Sequence, residues 1–155
     1  MSDLAMYDVV EKEKIQYIVV IIGGEHYGID ISYIDNIVRM SKITRVPKAP
    51  SYYRGVINLR GEVVPVMSLR RRMSLDDDEF TDASRIIILK LDGGGLLGVI
   101  VDEVKEVLTL TEDDIEAPSS TLKSKNSFIN GVGKNGDELV SIFEISSIIG
   151  ENDAS

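Results

Sequence analysis

Few side chains in this sequence have the types and spacing of a catalytic site. His26 is the only histidine, and it stands beside a strand-like segment with no serine or cysteine nucleophile motif, so we interpret it as an ordinary turn or surface residue. Asp102, Glu103 and Glu106 would suit acid–base chemistry if they converged, but an alternating strand points some of them outward. The sequence therefore favours a protein that is not an enzyme.

Two further motifs resemble ligand-binding loops but lack residues that such loops need. Gly93-Gly94-Gly95 is followed by no Lys-Ser/Thr pair and no helix, so it predicts a flexible turn and not a phosphate site. Glu112-Asp113-Asp114 lacks the spacing of a calcium loop. The chain contains no cysteine, which excludes disulfides and thiolate ligands. We therefore expect neither a metal nor a cofactor.

Arg60 stands in a setting that predicts binding. The segments 55–59 and 62–67 are mostly apolar and β-branched, which indicates two paired strands. Gly61 takes a positive φ at little steric cost, so the turn is expected at Arg60-Gly61, with the guanidinium in water beside an apolar wall. Pro65 lacks an N–H and is expected at an edge or a bulge. The alternative is a surface arginine that merely tolerates the turn.

A basic run and an acidic run follow this hairpin. Arg70-Arg71-Arg72 precedes Asp76-Asp77-Asp78-Glu79 in a segment of low apolar content, 74–84. The triple arginine has two interpretations, a binding patch or a solvated helix face compensated by the acids, and the second is favoured. The acidic segment is expected to be a solvated connection.

Composition limits the class of protein. The chain has 155 residues and a net charge of −9, which argues against a general nucleic-acid role because phosphate binding needs a basic face. No apolar run reaches the ~18 residues of a membrane span, so no membrane insertion is expected. Residues 1–14 are acidic and mixed, unlike a signal peptide. We expect a cytoplasmic protein.

The apolar segments predict a chain of short strands. Residues 15–22 form a nearly continuous apolar run, which is typical of a strand buried on both faces or curled into a barrel. Asp30 is expected to cap a helical turn, after which Ile34, Ile37 and Val38 recur with helix-like spacing. Further strands are predicted at 26–30, 42–46, 85–91, 96–103, 105–110, 128–133 and 138–143, with short helical turns at 69–73, after Thr111, and at 144–149.

The sequence contains an internal repeat. Gly28 aligns with Gly98, 70 residues later, whereas Gly55 and Val64 align 76 residues later with Gly131 and Val140. Such self-similarity predicts two copies of one unit, and five strands in each copy favour two small barrels packed together. The predicted organisation is a tail at 1–14, one domain at 15–149 with copies at about 15–70 and 85–146 joined by 71–84, and a tail at 150–155.

A family resemblance extends these expectations. From Val46 to Val66 the chain has the pattern V-P-x-x-P-x-x-x-x-G-V-x-N-L-R-G-x-x-x-P-V, which resembles the CheW family of chemotaxis coupling proteins, and the likeness continues at 97–104 and 129–133. The resemblance covers nearly all of 15–149. It implies an all-β fold of two SH3-like five-stranded barrels around a shared core, with short helical turns.

The resemblance also implies a function. CheW-family proteins are non-catalytic adaptors that join the regulatory domain of the histidine kinase CheA to the cytoplasmic tips of chemoreceptors, at arrays beneath the membrane. Two alternatives stay open at this point. One is the same fold as a regulatory domain of a larger kinase or receiver fusion, although the chain length favours a stand-alone unit. The other is a small-ligand or enzymatic barrel protein.

The family's site residues can be carried over by position. The receptor-binding groove between the barrels is expected to include Ile34, Asn36, Gly55 and Arg60. Weaker candidates for contact with the kinase, or for support of the core, are Val99, Val101 and Val107, with the core interpretation favoured for Val101 and Val107. Asn36 and Ser68 depart from acids that the family often has there, and both are expected to be exposed.

Overall fold

The computed structural model describes residues 12–118 and 128–149, and most of them lie in two β-sheets. The expected terminal tails fall largely outside this range, although Lys14 already begins the first strand. The strands are β1 Lys14–Ile22, β2 Glu25–Asp30, β3 Ile34–Arg39, β4 Tyr53–Leu59, β5 Glu62–Ser68, β6 Arg85–Lys90, β7 Leu96–Val101, β8 Glu103–Thr111, β9 Ile115–Glu116, β10 Ile129–Asn135 and β11 Glu138–Phe143. The helices are α1 Leu69–Arg72 and α2 Ile145–Ile149, with 3-10 turns at Ile31–Tyr33 and Glu112–Asp114.

The two sheets exchange strands between the repeat copies. Sheet I has the order β8-β1-β2-β11-β10-β9, and sheet II has the order β3-β6-β7-β5-β4. The first hairpin of each copy is therefore inserted into the sheet formed by the other copy. The insertion is completed by parallel pairing of β2 with β11 and of β5 with β7. Each sheet therefore contains strands of both copies.

The expected β class is confirmed, but neither sheet is a closed five-stranded barrel. Sheet I has six strands with β8 and β9 at its edges, and β3 and β4 are the edges of sheet II. In sheet I the chain turns from β8 into β9 through a capping contact, in which Asp114 accepts the N–H of Thr111 at 2.8 Å. In sheet II the strand predicted at 42–46 is reduced to one bridge between Thr44 and Val56. Each sheet is thus rolled but open.

The central strands bury both of their faces. On β1, Ile18 and Val20 pack into the core between the sheets, whereas Tyr17 and Val19 pack inside sheet I. The strand β6 also buries both faces. Its residues Ile87 and Leu89 pack into the central core, whereas Ile86 and Ile88 pack inside sheet II. This confirms the prediction from the continuous apolar run. Each fully buried aliphatic side chain stabilises the fold by about 1.5–3 kcal/mol.

Two local predictions fail where tertiary pairing decides. Asp30 does cap a 3-10 turn, through the N–H of Ser32 at 2.9 Å, but the helix-like spacing that follows belongs to strand β3. That strand pairs with β6, while Ile34 and Ile37 pack against the central core. Pro65 lies on β5, which is an internal strand and not an edge, although pairing with β7 begins only at Val66.

Candidate functional site

The turn between β4 and β5 presents Arg60 to solvent, as the sequence predicts. Arg60 and Gly61 have φ values of 53° and 83°, and the side-chain oxygen of Asn58 accepts the N–H of Gly61 at 3.0 Å. The Arg60 side chain is 67% exposed, and its Nη2 lies 3.3 Å from Oδ2 of Asp35. The structure therefore adds Asp35, which the sequence analysis had missed.

The contact between Arg60 and Asp35 joins the two edges of sheet II. Asp35 lies on β3, so the neighbouring Ile34 and Asn36 are brought to the same region as Arg60. Ile34 is half-buried against the central core, and Oδ1 of Asn36 accepts the N–H of Ile37 at 2.8 Å. Of the four expected groove residues, Arg60 thus belongs to the ion pair, and Ile34 and Asn36 are the chain neighbours of its partner Asp35.

Gly55, the fourth expected groove residue, is buried on β4. Its φ is 143°, and a Cβ at this position would lie 2.1 Å from the carbonyl oxygen of Thr44. Only glycine allows the two backbones to approach this closely. The structure therefore gives Gly55 a part in holding the Thr44 bridge, and its contact with a partner stays a prediction.

The three weaker candidates separate by burial. Val99 and Val101 lie on β7 in the central core, where they are 1% and 0% exposed. Val107 lies on the edge strand β8 and is 49% exposed. The core interpretation therefore holds for Val101 and is wrong for Val107, while contact with a kinase stays untested for all three.

Arg70 clamps the two repeat copies together. Its Nε and Nη2 donate to Asp102 at 3.0 and 2.6 Å, and Asp102 also accepts the N–H of Gly23 at 2.8 Å. Burial by itself raises the pKa of Asp102, but the hydrogen bonds from Arg70 and Gly23 outweigh it and hold that pKa below its ordinary value. The clamp links α1, the end of β7 and the β1–β2 turn.

Arg71 binds the acidic connection. It donates to both oxygens of Asp77, at 2.7 and 2.9 Å, and Arg54 donates to the same carboxylate at 3.0 Å. Hydrogen bonds from Arg71 and from the backbone of Asp78 hold the pKa of Asp77 well below its usual range. The side chain of Asp78 is almost fully buried, with Oδ2 3.3 Å from Arg54. The prediction that the acids of the connection compensate the three arginines is therefore confirmed for Arg71, whereas the carboxylate partner of Arg70 is Asp102.

Arg72 completes the set. Its guanidinium lies 4.6 Å from the ring centre of Tyr52 and 4.9 Å from that of Phe128, and it donates to the carbonyl oxygens of Ile148 and Ser147 in α2 at 3.0 and 3.4 Å. The solvated-face interpretation of the three arginines is therefore wrong. The expectation that Ser68 is exposed is also wrong, because its buried Oγ accepts the N–H of Arg71 at 3.1 Å.

Other polar groups do not converge into a reaction centre in the described residues. His26 lies 3.4 Å from Glu138, which also pairs with Lys105 at 2.7 Å. Within residues 12–118 and 128–149, no group of three or more His, Cys, Asp or Glu side chains could hold a metal ion. In the same ranges no helix is long and apolar enough to cross a membrane.

Two β-sheets packed around a shared core, with only short helices, define a mostly-β domain. The family model described as "CheW-like domain" matches residues 16–153. This chain belongs to the CheW-like domain family.

Known proteins agree with this assignment. The chain is 38% identical over 133 residues to the chemotaxis protein CheW of Bacillus subtilis, a match that covers 85% of each chain. It is 35% identical over 138 residues to the chemotaxis protein CheW of Helicobacter pylori, covering 89% of this chain and 83% of that one. The crystal structure of the scaffolding protein TtCheW from Thermoanaerobacter tengcongensis is similar, with a TM-score of 0.83, 31% identity and coverage of 91% and 96%.

Proposed function

We propose that this chain is a chemotaxis scaffold that couples chemoreceptors to the histidine kinase CheA. The observation that carries this function is the CheW-like match across residues 16–153, together with the similar fold of a CheW scaffolding protein. The scaffold works by binding and not by catalysis. Its place is the cytoplasm, at the receptor arrays.

The receptor-binding surface is the groove around Arg60. An ion pair as exposed as Arg60–Asp35 contributes little to folding, so these charges are free to serve recognition. Half-buried Ile34 supplies apolar area beside them, and Asn36 supplies an amide. The cytoplasmic tip of a receptor, presented as a helix, would bury apolar surface there at roughly 25 cal/mol per Å² before the costs of association.

The kinase-binding surface lies on a different part of the molecule. We assign it to the exposed edge strand β8 around Val107, with Val99 and Val101 supporting it from the core. The regulatory domain of CheA would dock there, barrel to barrel, with each rolled sheet taking the part of an SH3-like barrel. Two contacts support the comparison of each sheet with a barrel, because each brings the two edges of a sheet together. They are the turn through Thr111 and Asp114 in sheet I and the bridge between Thr44 and Val56 in sheet II.

Coupling follows from the rigidity of the link between the two surfaces. The central core contains side chains of both sheets, and the Arg70–Asp102 clamp crosses from one repeat copy to the other. A body built in this way holds the receptor and the kinase at a fixed distance and orientation, so each partner is at a high effective concentration near the other.

The test is receptor-dependent phosphotransfer. We expect Arg60→Ala to lower kinase activation by receptor-containing membranes about tenfold, since the charged group at the groove is lost. Lys90→Ala is the matched control, because Lys90 is an exposed cation at the end of β6. The melting temperature should be unchanged in both variants. Normal activation with Arg60→Ala would remove Arg60 from the site, and no activation with the wild-type chain would contradict the scaffold function itself.

A further inference from the structure

One segment of this acidic protein is strongly basic. Residues 36–61 contain six arginines and lysines and no aspartate or glutamate, although the whole chain has a net charge of −9. The remainder of the chain therefore carries a net charge of −15. Such a concentration of one sign of charge produces a local field that attracts the opposite sign.

Four of these six cations form a regular series. Every third residue is basic, and each of the four is exposed. None of them forms an ion pair with an acidic side chain of residues 12–118 or 128–149. We call these residues, which are Arg39, Lys42, Arg45 and Lys48, the basic strip.

The other two cations of the segment already have carboxylate partners. Arg54 binds Asp77 and Asp78, and Arg60 lies beside Asp35. The acids that compensate Arg54 lie in the connection after α1 and leave the strip uncovered in the described residues. The four cations of the strip thus take no part in the Arg60–Asp35 ion pair.

A cavity of about 340 Å³ adjoins the strip and adds apolar surface. Its lining includes two cations, Arg45 and Lys48, and the largely apolar residues Pro47, Pro50 and Tyr53. Val46, in the same wall, is 44% exposed. A ligand that presents carboxylates alone would leave this apolar wall uncovered, whereas one with alternating acidic and apolar groups fits both features.

The backbone beside the cavity is held in a fixed and strained shape. Lys48 has a φ of 68°, in the left-handed region that residues other than glycine rarely adopt. It is flanked by two prolines, and the carbonyl oxygen of Pro50 accepts the N–H of Tyr53 at 3.0 Å. Strain of this kind persists where the surroundings enforce it, and a loop already ordered loses less entropy when it binds.

We propose that the basic strip and its cavity are a docking site for an extended acidic segment of a partner protein. The segment would place carboxylates on Arg45 and Lys48 and an apolar side chain in the cavity. An anionic membrane is disfavoured as the occupant because the net charge of −9 repels such a surface. The site goes beyond the proposed coupling of receptor to kinase and does not depend on Arg60.

The test uses the full chain and a fluorescent peptide in which glutamate recurs at every third position between leucine and proline. We expect binding at low salt that weakens as salt is added. Arg45→Glu combined with Lys48→Glu should raise Kd at least about tenfold, since two attractive contacts become repulsive. Arg45→Gln with Lys48→Gln should give a smaller loss and serves as the milder variant, with the melting temperature as a check of folding.

The matched control carries the same change of charge elsewhere. Lys14→Glu with Lys90→Glu alters two exposed cations on β1 and β6, and it should leave peptide binding within about twofold of the wild type. Equal weakening in the control would show non-specific attraction and overturn the site, as would absence of peptide binding by the wild type. Binding to phosphatidylglycerol vesicles that is lost with the strip variants would assign the strip to membranes and overturn the peptide proposal.

Discussion

The guanidinium of Arg70 holds the carboxylate of Asp102 through two hydrogen bonds, at 2.6 and 3.0 Å. Arg70 belongs to the first repeat copy and Asp102 to the second, and the N–H of Gly23 donates to the same carboxylate. A paired charge of this geometry is costly to break from one side, because the remaining partner loses its compensation. The pair therefore secures the exchange of hairpins between the two copies.

Replacement of Asp102 should destabilise the fold. We expect Asp102→Asn to lower the free energy of unfolding by about 1–2 kcal/mol, since Arg70 loses its charged acceptor at a partly exposed site. Urea denaturation followed by circular dichroism measures this change. Asp92→Asn, at an exposed turn position, is the control, and an equal loss in the two variants would contradict the clamp.

The same carboxylate makes stability depend on pH. The folded-state pKa of Asp102 is lowered, so its ionised form stabilises the fold above the unfolded pKa, and this contribution disappears as pH falls toward the folded value. The difference in unfolding free energy between the wild type and Asp102→Asn should be largest near neutrality and shrink below about pH 4. A difference that stays constant down to acid pH would disprove the linkage.

Gly55 should tolerate no side chain. We expect Gly55→Ala to cost about 2–4 kcal/mol, because the new Cβ meets the Thr44 carbonyl and the backbone has a positive φ. Gly61→Ala is the matched comparison, since Gly61 also has a positive φ but open space around it, and it should cost only about 1 kcal/mol. Thermal or urea unfolding of both variants decides the point, and equal losses would mean that the close approach is unimportant.

Arg72 should resist even conservative replacement. Arg72→Lys keeps the charge but loses the planar group that lies over Tyr52 and Phe128 and reaches the carbonyl oxygens of α2. We expect a loss of about 1–2 kcal/mol in unfolding free energy. Arg85→Lys, at an exposed carbonyl contact, provides the comparison, and unchanged stability of Arg72→Lys would show that charge alone matters there.

Much of the fold followed from local patterns. The apolar run 15–22 predicted a strand buried on both faces, and the Arg60-Gly61 turn formed where glycine and the paired β-branched segments required it. The repeat predicted two related halves, and the motif from Val46 to Val66 predicted the family. These features depend on neighbours close in sequence, so periodicity and turn chemistry are sufficient to find them.

Tertiary structure alone decided which strands pair and which charges meet. Both copies have the same pattern, so alignment cannot show that each first hairpin inserts into the other copy's sheet. The six-residue segment at Ile34–Arg39 suits a helix or a strand by spacing, and pairing with β6 settles it. The partners of the three arginines and the burial of Ser68 likewise come from segments distant in sequence. Strands and side chains that are distant in sequence pair with the most favourable of many possible partners. Which partner that is depends on the contacts of the whole folded chain, so a local sequence pattern does not reveal it.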